Sequence, residues 1–133
     1  MHFLDYDRLT IWKVLIIEGN DHFRQTLKEF LTPRYQNLIF DEARDGSEGI
    51  EKFSVFKPNI VFIDVRLPDR IGLDLIDIMR AINPQVRIIM MSNYDLPEYR
   101  EAAVRKGSDF FIQKGSSTVD MILDAMKSIL PAA

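Results

Sequence analysis

Glu18, Asp64, Ser92 and Lys114 are the residues of this chain whose types and spacing suit ionic and nucleophilic chemistry. Each stands at or just past the end of a short apolar run: Val14-Leu15-Ile16-Ile17, Ile60-Val61-Phe62-Ile63, Ile88-Ile89-Met90-Met91 and Phe110-Phe111-Ile112. Two carboxylates held close together repel each other and attract a hard cation, and Mg2+ takes oxygen ligands, typically one or two carboxylates with waters and phosphate oxygens. A carboxylate is also a nucleophile toward phosphorus, forming an aspartyl phosphate. Asp64 suits that role, and Lys114 supplies a point charge on a flexible stem for the transferred group. Ser92 can donate its hydroxyl to a phosphoryl oxygen. That contact exists only with phosphate present, so it can draw the following loop toward the site. Taken singly, three of them have a plainer reading: Asp64 as a cap or strand stop, Ser92 as a helix cap, Lys114 as a solvated strand end.

The elements that would bring them together are legible in the same sequence. Ile60 to Ile63 is bounded by Lys57-Pro58-Asn59 and by Pro68, the signature of a strand buried on both faces and hence of a parallel sheet. Similar runs open at Lys13, Leu38, Arg87 and Phe110. Between them lie helical stripes: Phe23, Leu27, Phe30 and Leu31, ended by Pro33; Ile50, Phe53 and Phe56, with Ser47 as N-cap; Leu75, Ile76 and Met79 in a helix over 73–82. A fourth helix opens at Pro97 and leaves at Gly107, and a fifth carries Val119, Ile122, Leu123, Met126, Ile129 and Leu130 before Pro131. Five strand–helix pairs predict an α/β fold, a doubly wound five-stranded parallel sheet with helices on both faces. All strands then end on one edge, where such sheets bind ligands, and neighbours are only about 4.8 Å apart. The four polar residues converge there.

Composition narrows the function. At 133 residues there is one core, 47% of residues are hydrophobic and 28% charged, as in ordinary soluble domains. A net charge of −3 disfavours direct nucleic-acid binding by this chain. There is no cysteine for disulfides or thiolate metal sites, and His2 and His22 are too isolated for zinc. No apolar run approaches the ~20 residues of a membrane span, and Met1 to Asp7 lacks the pattern of a secretory signal. The expected location is cytoplasmic. Residues 1–12 are an unassigned leader and 13–131 the domain.

The motifs V-L-I-I-E, E-A-R-D-G-S-E-G-I, K-P-N-I-V-F-I-D-V-R-L-P-D-R-I-G-L-D-L-I, I-I-M-M-S and K-G-S-D-F-F-I-Q-K resemble, in order and without gaps over residues 13–130, the receiver domain of two-component response regulators. The resemblance implies the flavodoxin-like (βα)5 fold with strand order 2-1-3-4-5, of which a receiver is one instance. It implies a phosphorylation-dependent signalling switch in which Asp64 accepts a phosphoryl group from a sensor histidine kinase or phosphotransfer protein. Glu18, Asp64 and the Arg66 backbone carbonyl would hold Mg2+; Ser92 and Lys114 would contact phosphate, and Phe111 would be the aromatic that swings between rotamers. Output would pass through the fourth helix, fifth strand and fifth helix to an effector, an output domain or a second copy. No enzymatic activity is implied beyond self-catalysed phosphotransfer and autodephosphorylation. F-I-Q-K-G-S-S and Phe23-Arg24 are closer to the branch whose full-length members end in helix-turn-helix output domains; this sequence stops right after its fifth helix, so the expectation is that it either stands alone or is a piece of a longer regulator.

Two positions depart from the family pattern. Gly19 stands where a second acid usually follows Glu18, so Mg2+ binding would be weakened unless Asn20 or Asp21 helps. Gly115 follows Lys114 where many receivers have a cis proline. Gly19 raises an alternative: a degenerate receiver serving as a phosphorylation-independent interaction or dimerisation module. A flavodoxin-like cofactor binder fits less well, because Glu18-Gly19-Asn20-Asp21-His22 is acidic and lacks a phosphate cradle.

Overall fold

In the computed structural model, which describes residues 10–131, strands and helices alternate along the chain. They are β1 (Trp12–Ile17), α1 (Asp21–Leu31), β2 (Leu38–Ala43), α2 (Gly46–Phe56), β3 (Ile60–Asp64), α3 (Asp74–Ile82), β4 (Arg87–Ser92), α4 (Pro97–Lys106), β5 (Phe110–Gln113) and α5 (Thr118–Ile129). All strand pairs are parallel, in the order β2-β1-β3-β4-β5, as expected. The expected leader falls mostly at residues 1–9, outside the described residues; Trp12, placed ahead of the first strand by its sequence, instead opens β1 and pairs with Leu38.

Alternation along each strand divides the core in two. Leu15, Ile17, Val61, Ile63, Ile88 and Met90 face one side, packing with Phe53 of α2, Leu75, Ile76 and Met79 of α3 and Ala103 of α4. Val14, Ile16, Ile60, Phe62, Ile89 and Met91 face the other, against Leu27 and Leu31 of α1 and Ile122, Ala125, Met126 and Ile129 of α5. Consecutive residues of the central strands are therefore apolar because both faces are covered. Burying each large side chain contributes about 1.5–3 kcal/mol, so this double core holds the strand ends in place. Val119, assigned by its sequence to the apolar stripe of the last helix, is instead half exposed at its first turn.

Helix α2 begins earlier than its sequence suggests. Asp45 is the N-cap, accepting from the Glu48 N–H at 2.9 Å, while Ser47 lies inside the first turn. Asp45 stands three residues before Glu48, the spacing at which a capping side chain reaches a free N–H of the first turn. No helix among the described residues is long and apolar enough to cross a membrane.

Candidate functional site

Four polar or charged residues are buried among those described: Glu18, Arg24, Asp64 and Ser92. Three of them are the ones the sequence singles out, and the sheet brings them to one edge. Asp64 pairs with Met91 at the end of β3, next to Ser92, and Glu18 follows Ile17, the β1 partner of Ile63. Lys114 follows β5, its backbone N–H donating to the Ser92 carbonyl at 2.7 Å. Its ammonium bonds Glu18 Oε1 and lies 3.5 Å from Asp64 Oδ2. The three side chains are 2%, 9% and 9% exposed for Glu18, Asp64 and Lys114, so this is a desolvated charge triad rather than a surface ion pair.

The chain bends sharply after Asp64, and Gly72 makes the bend feasible. A Cβ at Gly72 would lie 2.0 Å from the Asp64 carbonyl oxygen, a distance no side chain survives. The returning segment bonds back through Leu67 N–H to the Arg70 carbonyl at 3.0 Å, with Arg66 and Ile71 paired as an antiparallel bridge. Asp69 anchors the outer end of the same loop. Its carboxylate accepts from the Gly46 and Ser47 N–H groups at 2.7 and 3.0 Å, a second cap on α2 supplied from across the site. The Gly46 N–H, with that of Ser47 behind it, holds the Asp69 carboxyl down at about 2.

Burial pushes the Asp64 carboxyl up to about 6 from its ordinary 3.8; Lys114 opposes the rise, the Glu18 carboxylate adds to it, and the Arg66 N–H pulls the other way. Near neutral pH Asp64 is ionised yet poorly solvated, the condition of a reactive carboxylate. Ser92 Oγ accepts from the Tyr94 N–H and donates to the Tyr94 carbonyl, both at 3.0 Å. The hydroxyl thus ties the β4–α4 loop to itself. Phe111 is half-buried against the α2–α3–α4 core face, with the Arg100 guanidinium 4.7 Å from its ring.

Asn20 and Asp21 do not join the acidic pair. The Asn20 side chain caps α1 by accepting from Phe23 N–H at 2.9 Å, and Asp21 bonds Arg24. Helix capping and a buried guanidinium claim both side chains. Among the described residues no three histidines or acids converge. The donor set for a cation is therefore Glu18 and Asp64, with the Arg66 carbonyl two residues further along the loop. These residues fit Mg2+: all donors are oxygen, two carboxylates meet its usual count, and both already converge on one positive charge, the Lys114 ammonium.

Two contributions escape the sequence reading. The Arg66 side chain reaches the β4–α4 loop and α4, stacking at 4.2 Å on the Tyr94 ring and donating from Nε to Tyr99 Oη at 3.0 Å. Arg24 is buried behind Glu18. It does leave a signal: Arg24 falls on the stripe of Leu27 and Leu31, and a charge on an apolar stripe requires partners.

Comparison with known proteins agrees with this fold. The family described as the response regulator receiver domain matches residues 14–126. The chemotaxis protein CheY of Halobacterium salinarum is 28% identical over 120 residues, covering 90% of this chain and 98% of that protein. CheY of Thermotoga maritima is 31% identical over 102 residues, covering 77% and 84%. Among solved structures, the CheX-CheY-BeF3-Mg2+ complex of Borrelia burgdorferi superposes with a TM-score of 0.82 at 23% identity, over 95% of each chain. With the fold, the strand order and the family match in agreement, this chain belongs to the response regulator receiver domains.

Proposed function

We propose that this receiver is a phosphorylation-dependent switch with Asp64 as its phosphoacceptor. The observation that carries the reading is the buried triad of Asp64, Glu18 and Lys114 at the carboxyl edge of the sheet. An Asp64 oxygen attacks phosphorus of a phosphohistidine on a kinase or phosphotransfer protein; the P–N bond breaks and its electron pair leaves with the imidazole, which takes up a proton. Mg2+, held by Glu18, Asp64 and the Arg66 carbonyl, would supply the positive charge that offsets the phosphoryl oxygens. Lys114 releases its bond to Glu18 and pairs with phosphate. Ser92 exchanges its bonds with Tyr94 for one to a phosphoryl oxygen, which moves the β4–α4 loop and changes the packing of Phe111. The α4–β5–α5 surface is then the output face toward an effector, an output domain or a second copy.

The Borrelia complex, by its name, contains beryllofluoride and Mg2+ together with a chain of the same fold, which is consistent with this reading. Incubating the protein with Mg2+ and a small phosphodonor should add one phosphoryl group by mass, and Asp64→Asn should abolish it. An unmodified wild-type chain would sink the proposal. Gly19 favours a second reading, a degenerate receiver acting through protein contacts alone, because Lys114 already neutralises part of the charge of Glu18 and Asp64. That reading expects no response to Mg2+ and phosphodonor, and an unchanged oligomeric state.

A further inference from the structure

Of the four buried polar residues, Arg24 is the one with no part in the chemistry of the triad and its switch hydroxyl. A buried guanidinium costs several kcal/mol in lost hydration unless its donors are matched. Here they are matched on three sides: Nη1 donates to the Glu18 carbonyl at 2.6 Å, Nε to Glu42 Oε1 at 3.1 Å, and Nη2 to Asp21. Glu42, on β2, is held in turn by Lys28 at 2.7 Å. The arginine therefore clamps the exit of β1 between α1 and the edge strand. Its charge is balanced locally by Glu42 and Asp21, so its effect on the site is one of geometry.

That geometry matters because the residue after Glu18 is a glycine. Gly19 has no side chain to restrict the backbone, so the loop carrying the acid loses more freedom on ordering than it would with any other residue. The Glu18 side chain is held from one side by Lys114, and its Oε2 accepts the Asn20 N–H at 3.1 Å. Both contacts require the Glu18 backbone to stay in place: its N–H is held by the Ala43 carbonyl of β2 at 3.0 Å, and its carbonyl, on the side that leads into Gly19, by Arg24. We infer that Arg24 is a positioning residue: by gripping the Glu18 carbonyl it aims the acid of the proposed Mg2+ and phosphoryl site, offsetting the slack left by Gly19. This role rests on the proposed function only for its consequence in Mg2+ binding.

The test uses the full chain and Arg24→Lys, which keeps the charge but cannot span all three acceptors. In NMR-detected hydrogen exchange, the Asn20 amide should exchange about tenfold faster than in wild type, with core β3 amides unchanged. The midpoint of a Mg2+ titration should rise about tenfold, within the range seen when an outer partner of a metal ligand is lost. Glu42→Gln, which keeps Arg24 but weakens its Nε anchor, should give a smaller change in the same direction and serves if Arg24→Lys does not fold. Asn20 exchange within twofold of wild type in a folded Arg24→Lys protein would overturn the inference, as would a uniform loss of protection across the sheet. If wild type shows no Mg2+ response, the proposed function fails, while Asn20 exchange still decides whether Arg24 positions Glu18.

Discussion

Asp64→Asn should make the protein more stable at neutral pH, although it removes one contact of Lys114. A carboxyl raised from 3.8 to about 6 by burial is harder to ionise in the folded chain than in the unfolded one. Between those two values the native state holds more protons, so the contribution of Asp64 to stability falls as pH rises through the window. A rise of that size corresponds to roughly 3 kcal/mol at pH 7, a net figure that already includes the attraction of Lys114 for the ionised carboxylate. Urea unfolding of both proteins at pH 4, 5, 6 and 7 with metal chelated provides the assay. The stability of Asp64→Asn minus that of wild type should grow with pH and level off above about 6. Adding Mg2+ should narrow the gap, since a ligand that binds only the folded wild type stabilises it by mass action. A difference that stays flat or falls with pH would refute the claim that Asp64 is held in an unfavourable ionised state.

Other perturbations probe the loops around the triad. Arg66→Ala removes the stacking on Tyr94 and the bond to Tyr99, and should cost about 0.5–1 kcal/mol while speeding hydrogen exchange over 93–99; unchanged exchange there would show that the side chain holds nothing. Asp69→Asn keeps the shape but not the charge that caps α2, so wild type should lose stability as pH falls from about 4 toward 2 in a step that the variant lacks, read by circular dichroism on acid titration. Gly19→Asp supplies the missing acid and should tighten Mg2+ binding by about tenfold, close to 1.4 kcal/mol. Its Cβ would lie 3.1 Å from Pro68 Cγ, so a stability loss of about 1 kcal/mol in urea unfolding should accompany the gain.

The fold is legible in the sequence because its rules are local and repetitive. Ile60-Val61-Phe62-Ile63 is uniformly apolar because helices cover both faces of β3, and a sequence run records that directly. Glu18, Asp64, Ser92 and Lys114 are readable for a related reason: a parallel sheet sends every strand end to one edge, so position along the chain becomes position in space. The contacts that cross between loops leave weaker marks. Asp69 reaches the α2 N-terminus 23 residues back, and no spacing rule connects them. Ser47 looks like the cap because the turn contains several residues able to cap, and only backbone geometry selects Asp45. The Arg66 side chain has no role legible in sequence because its partners, Tyr94 and Tyr99, lie on another loop and helix. Gly72 is visible as a motif residue, but its cause, the 2.0 Å approach to the Asp64 carbonyl, belongs to the fold.

The most direct test of the switch is an amide NMR titration of the full chain with Mg2+ and beryllofluoride, a stand-in for the phosphoryl group. A phosphorylation-dependent switch predicts that neither additive alone reproduces the effect of both, and that together they shift Asp64, Ser92, Tyr94 and Lys114 along with residues of α4 and β5. Asp64→Asn should remain unshifted. A wild-type spectrum unchanged by both reagents would contradict the switch and leave the degenerate receiver in its place.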